Sequence, residues 1–352
     1  MKTNEDKTKN RIIDCDVHVF PASDEEIKKF LPQPWKDRYH KLGRTYNHPI
    51  SANRHDALPS IKKAGTDPYY VRLQHVDEYG IDTLILLPRA FVNHHPDPDF
   101  ATAVAAAYND WLAETWLGKY NDDGIFKGSI TIAPQDPEAA AKEIDRWAGH
   151  PHFVQVMTDS GSQAPFGQRR FYPIYEACER NGFPFAIHPG TDGAGINHQP
   201  TPGFPTRYLE WHTNLSLGFQ AHLVSFLTEG VFVRFPNFKV VLVEGGAAWL
   251  PTLMWRLDAE FKGCRIEVPW LTKCPSEYLR EHVRFTSQPL ERPDNDKHLL
   301  QIFEMMDAEH LLMFSSDYPH WDFDSPTRAF PKMPEELRRR IMYENAKEFY
   351  HL

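Results

Sequence analysis

Cysteine is scarce: Cys15, Cys178, Cys264 and Cys274 are spread over 352 residues with no C-x-x-C pair, which excludes a zinc knuckle or a thiol redox motif. The four read as thiols of a reducing compartment, small buried hydrophobes. Long hydrophobic runs are missing too. The longest, such as Val240–Val243 and Leu84–Leu87, fall far short of the ~18 apolar residues of a membrane span. Positive charge is in the minority, Lys+Arg 39 against Asp+Glu 48, for a net charge of -9. With no basic run, neither nucleic acid nor an anionic membrane surface is an expected partner. The leading MKTNEDKTKNR is charged and has no apolar centre, so residues 1–11 read as a flexible terminus rather than a signal peptide or anchor, and the compartment expected is the cytoplasm. No Gly/Ser-rich linker or internal repeat divides the chain, so 1–352 reads as a single domain.

What is present is an ordinary globular composition, 41% hydrophobic and 25% charged, with 29 prolines. Many prolines end an apolar run, as in Leu87-Pro88, Ala133-Pro134 and His188-Pro189, where they stop a strand as it leaves a sheet. Eight short apolar or β-branched runs read as buried parallel strands: Ile12–Val19, Thr83–Leu87, Phe126–Ala133, Phe153–Thr158, Pro184–His188, Lys239–Glu244, Val283–Ser287 and Leu311–Ser316. Helical patterns fall near Tyr70–Tyr79, Asp99–Leu117, Asp136–Gly149, Arg170–Asn181, Gln220–Phe232, Ala247–Phe261, Asn295–Asp307 and Pro334–Tyr350. Eight alternating strands and helices predict an α/β fold, a (β/α)8 TIM barrel. Two connections exceed a simple turn, residues 20–69 after the first strand and 189–217 after the fifth. Both leave the C-terminal ends of strands, where barrel enzymes build their sites, and both read as lid or loop insertions. They carry Trp35, Tyr39, Tyr46, His55, His198, Phe204, Arg207, Trp211 and His212.

The strand tips hold the chemistry. The first strand ends Asp-Cys-Asp-Val-His, and strand period two puts Asp16 and His18 on one face. The fifth ends on His188, and the eighth on Asp317, with His320 three residues on. In a barrel all these tips point to one mouth, so Asp16, His18, His188 and Asp317 offer two oxygens and two nitrogens to one divalent cation. Glu244 ends the sixth strand, followed by Gly245-Gly246. It reads as a proton carrier or a partner orienting a ligand, with capping of the next helix as the plain alternative.

This ordered set, with the run FPNFKVVLVEGG at the sixth strand and SSDYPH at the eighth, resembles the amidohydrolase-related family. It is most similar to the branch of aminocarboxymuconate-semialdehyde decarboxylase and the resorcylate-type aromatic decarboxylases. The resemblance implies a distorted barrel holding one divalent metal, zinc or manganese, on Asp16, His18, His188 and Asp317; the residues themselves offer Asp317 and Glu244 as the candidate catalytic groups. It also implies a homodimer, for which Ala247–Phe261 and Cys264–Tyr278 are the candidate interface elements. Two departures stand out: Asp16 occupies the first position of a common HxH pair, and Glu244 replaces a sixth-strand histidine. The extra carboxylates make the site harder and shift its preference toward Mn²⁺ or Mg²⁺ without excluding Zn²⁺.

Two reactions suit the same residues. One is metal-dependent, non-oxidative decarboxylation of a small aromatic or enolic acid. The other is hydrolysis of an amide, ester or lactone by a metal-activated water; hydration would use the same water. A catalytically silent metal-binding barrel is the non-enzymatic alternative. Arg207, Arg89 and His320 are candidate contacts for the substrate carboxylate or phenolate, and Trp211, Phe204 and Phe91 candidate walls. His212, His222 and His310 read as structural. His94 and His95, being adjacent on the chain, diverge rather than chelate.

Overall fold

The computed structural model describes residues 11–42 and 64–352; Tyr46 and His55 of the first expected insertion lie outside them. Eight strands run in sequence order around one sheet: β1 Ile13–Val19, β2 Thr83–Pro88, β3 Phe126–Thr131, β4 Phe153–Asp159, β5 Phe185–His188, β6 Val240–Leu242, β7 Val283–Thr286 and β8 Leu312–Met313. Every neighbouring pair from β1 to β8 is parallel. The ring is drawn together between β8 and β1 by one parallel bridge, Val17 with Tyr318. Backbone bonds from Cys15 N to Phe314 O (3.1 Å) and His18 N to Tyr318 O (2.8 Å) reinforce it. This is the (β/α)8 barrel expected from the apolar runs.

Strand side chains divide between two apolar layers. Ile13, Cys15, Ile85, Leu87, Met157, Ala186, Val241, Val243 and Met313 form one cluster, joined by Ala346 and Tyr350 of the last helix. Val17, Val19, Leu84, Leu86, Ile130, Val156, Ile187, Val240 and Leu242 belong to the larger layer packed under the helices. Alternation along each strand produces that division. In β1 the pairing with β2 shifts register between Asp14 and Val17. The bulge changes the phase of the strand, so Cys15 and Asp16 both face inward while Asp14 is turned toward the outer layer.

Several helices start or stop where their end residues dictate. Asp97 and Asp136 accept from Phe100 N (3.1 Å) and Ala139 N (3.0 Å) at the starts of Pro98–Leu112 and Pro137–Arg146, each with proline in the first turn. Asn181-Gly182 ends Tyr172–Asn181 with Gly182 at φ 71°. The two long connections are not bare loops. The first contains helices Asp24–Lys28 and Trp35–Leu42, and the second contains Tyr208–Thr213.

Candidate metal centre

Asp16 and His18 on β1, His188 at the end of β5, Glu244 just beyond β6 and Asp317 beyond β8 converge at the C-terminal mouth. Each offers a ligand atom, these atoms all lie within 4.8 Å of one another, and all five residues are buried. Two are held there by unusual backbone, Glu244 at φ 57° and Asp317 at φ 59°. The left-handed region costs a non-glycine residue about 1–3 kcal/mol, a strain that surrounding structure must hold in place. Gly245 permits the tight path after β6, since a Cβ there would meet the Phe219 ring at 2.8 Å. Glu244 does not cap the following helix, Leu250–Cys264, which has no side-chain cap; Glu291 accepts from Ala247 N and Ala248 N ahead of it, both at 3.1 Å.

Contacts inside the cluster are close. His18 Nε2 lies 2.8 Å from Asp317 Oδ1 and 3.3 Å from Asp16 Oδ1. His188 Nε2 lies 2.8 Å from Glu244 Oε2, without hydrogen-bond alignment. Asp16 Oδ1 and Oδ2, His188 Nε2, Glu244 Oε2 and Asp317 Oδ2 are all buried with no hydrogen-bond partner. Unpartnered buried acceptors are rare and costly. His188 Nδ1 donates to Pro189 O at 2.8 Å, which leaves the Nε2 lone pair facing the cluster. Orphaned oxygens and an orphaned imidazole nitrogen, brought together from four strands, fit one divalent cation.

The electrostatics point the same way. Burial, then the charges of Glu244 and Asp14, pushes the Asp16 carboxyl well up; burial, then Glu244 and Asp16, does so for Asp317. Burial raises Glu244 to about 7. His18 and His188 are pushed well down, chiefly by burial, and are therefore neutral and able to coordinate.

Around the cluster, His320 Nδ1 lies 2.7 Å from Asp317 Oδ1 and its ring is 4.3 Å from that of His18. Arg89, beyond β2, is buried, donates to Pro189 O at 2.6 Å and pairs with Asp159 at 3.1 Å; its Nη1 has no partner. Trp211 is half-buried in Tyr208–Thr213, 5.6 Å from the Tyr208 ring. Arg207 and Phe204 are exposed on the same connection, Phe204 at 62%. His94 and His95 have rings 6.2 Å apart and lie outside the cluster. His222 and His310 have local partners, Ser160 O and Asp307.

The sequence reading took His212 as structural and did not single out its partner Asp322. They pair at 3.1 Å, and although burial opposes the charge on His212, Asp322 holds its pKa up. Both exert charge on Glu244. The helix that carries His212 begins inside an expected loop, and nothing local in the sequence joins it to Asp322.

The profile of the family described as Amidohydrolase matches residues 13–352. The chain belongs to the amidohydrolase family. Within it, the chain is 26% identical over 312 residues to the gamma-resorcylate decarboxylase of Polaromonas sp. strain JS666, covering 84% of this chain and 90% of that enzyme. It is likewise 26% identical over 302 residues to the gamma-resorcylate decarboxylase of Rhodococcus jostii strain RHA1, covering 80% and 87%. The crystal structure of 5-carboxyvanillate decarboxylase from Novosphingobium aromaticivorans, complexed with manganese and 4-hydroxy-3-methoxy-5-nitrobenzoic acid, has a TM-score of 0.74 at 22% identity, covering 98% of this chain and 97% of that one. The amidohydrolase fold is thus shared along almost the whole chain. Among its described residues no helix is long and apolar enough to cross a membrane.

Proposed function

We propose that the chain is a metal-dependent, non-oxidative decarboxylase of a small aromatic or enolic carboxylic acid. The observation that carries this reading is the buried set Asp16, His18, His188, Glu244 and Asp317, whose ligand atoms lie within 4.8 Å of one another, with unpartnered atoms on Asp16, His188, Glu244 and Asp317. Its relatives named as gamma-resorcylate decarboxylases support the choice of reaction.

Asp16, His18, His188 and Asp317 would hold the ion, with Mn²⁺ favoured by the excess of carboxylate oxygens. When bound, the ion supplies a positive anchor for the substrate carboxylate and a neighbouring oxygen. Glu244, raised to about 7, holds a proton near neutral pH. It or Asp317 gives that proton to the ring carbon bearing the carboxylate. The C–C bond then breaks, its electron pair restores the π-system, CO2 leaves, and the acid regains a proton from solvent. Arg89 and His320 contact the anionic substrate from beside the ligands, Trp211 walls the pocket, and Arg207 and Phe204 reach it from the β5 connection. The enzyme works as a single-domain homodimer in the cytoplasm.

The test is CO2 release from hydroxybenzoates and related acids by manganese-loaded protein. Asp317→Asn lowers turnover about 10²–10⁴-fold, as loss of an acid–base group does. Cleavage of an ester or lactone with no CO2 from any acid would replace this reading with the hydrolase one.

A further inference from the structure

Directly behind the cluster, and separate from it, lies a second set of polar side chains. Asp14, His75 and Ser316 are all 0% exposed. His75 Nε2 lies 2.6 Å from Asp14 Oδ2, Ser316 Oγ donates to the same oxygen at 2.5 Å, and Ser316 Oγ is 3.3 Å from His75 Nε2. A carboxylate only accepts, so the Nε2 hydrogen is on the histidine. The composition is that of a nucleophile triad, but the wiring is not. The serine hydroxyl donates to the aspartate instead of to the histidine, accepts from Tyr318 N at 3.1 Å, and has no exposure to a substrate.

The backbone bonds show what the set does. Asp14 Oδ1 accepts from Asp16 N at 3.2 Å and from Ser316 N at 2.9 Å. Asp16 is a proposed ligand, and Ser316 directly precedes another, Asp317. The two flank the β8–β1 seam, where one isolated bridge and a few backbone bonds stand in place of a strand ladder. The β1 bulge makes the arrangement possible, since on a regular strand Asp14 would face inward beside Asp16. His75, on the turn Arg72–Asp77 outside the barrel, fixes the far side and stacks on Tyr318 with ring centroids 4.6 Å apart.

We infer that Asp14, His75 and Ser316 form a buried clasp across the β8–β1 seam that sets Asp16 and His18 in register with Asp317. They are positioning residues, and the inference rests on the metal reading of those three ligands. Partners that orient metal ligands typically govern 10–100-fold in metal affinity.

The experiment compares Mn²⁺ affinity, by titration followed with electron paramagnetic resonance, in the wild-type protein, Ser316→Ala, His75→Phe and His75→Gln. Phenylalanine keeps the stack on Tyr318 and loses the bond to Asp14; glutamine restores a donor near the position of Nε2. Ser316→Ala and His75→Phe are expected to retain native circular dichroism, weaken Mn²⁺ binding about 10–100-fold and broaden the bound-ion spectrum. In turnover, kcat falls while KM changes little, and His75→Gln recovers most of both losses. The double variant loses little more than either single one, because the set acts as a unit. Unchanged Mn²⁺ affinity and spectrum in folded variants, with only the melting temperature lowered, would overturn the clasp and leave the metal reading standing. A wild-type protein that binds no divalent ion would overturn both.

Discussion

His222 uses both ring nitrogens at once. Nε2 donates to Ser160 O at 2.8 Å while Nδ1 accepts from Phe166 N at 3.1 Å, and the ring stacks on Phe166 with centroids 4.3 Å apart. Burial opposes the charge, and a second proton would set N–H against N–H, so the pKa is lowered to about 4. In the unfolded chain the same group titrates near 6.5. The unfolded state therefore binds more protons between these values, and the contribution of His222 is complete above about 6.5 and lost as pH falls through about 4. The size is on the order of 3 kcal/mol. Urea unfolding should show this: the wild-type midpoint falls between pH 7 and pH 4 more steeply than that of His222→Gln, which starts lower but declines less. Parallel slopes would show that other groups drive acid unfolding. That this histidine is structural was legible in the sequence by default; the two bonds that make it pH-sensitive come from segments 62 and 56 residues away and leave no local trace.

At the scale of elements, apolar runs ending in proline or a polar tip were enough to place all eight strands, because a buried parallel strand needs little else. Placing His18, His188 and Asp317 at their tips brought the candidate ligands together for the same reason. β1 shows where the pattern stops being readable. Asp-Cys-Asp-Val-His alternates as a regular strand would, and nothing in it announces that Asp14 and Asp16 part company at a bulge. The connections show another limit. Tyr208–Thr213 is too short to show helical periodicity, yet it aligns Tyr208, Trp211 and His212, and Tyr208 Oη accepts from Trp321 Nε1 at 3.0 Å across the mouth. The long helical patterns were seen as continuous, whereas Pro98–Leu112 passes into a π-helical turn at Ala113–Gly118. A single wider turn changes neither hydrophobicity nor capping residues, so the sequence carries no mark of it.

For the whole molecule, the net charge of -9 includes three carboxylates, Asp16, Glu244 and Asp317, that folding buries in one place. Without a cation they oppose the fold: burial and their mutual charge raise their pKa values, Glu244 to about 7. Such groups bind more protons folded than unfolded. Their contribution is fully present below the unfolded value of ~4 and is lost as pH rises through the folded one. A divalent ion replaces those protons with charge that does not depend on pH. Metal at about 100 times its dissociation constant adds ~2.7 kcal/mol. With an unfolding entropy of ~2.1 cal/mol/K per residue, that raises the melting temperature of a chain this long by roughly 4 °C. Scanning calorimetry of chelator-treated and Mn²⁺-loaded protein should find this gap, and find it wider at pH 8 than at pH 6, because protons compete with the ion at the lower pH. Asp317→Asn should narrow the gap at both. A gap that is equal at the two pH values, or that survives unchanged in Asp317→Asn, would mean that the stabilising ion binds somewhere other than the mouth of the barrel.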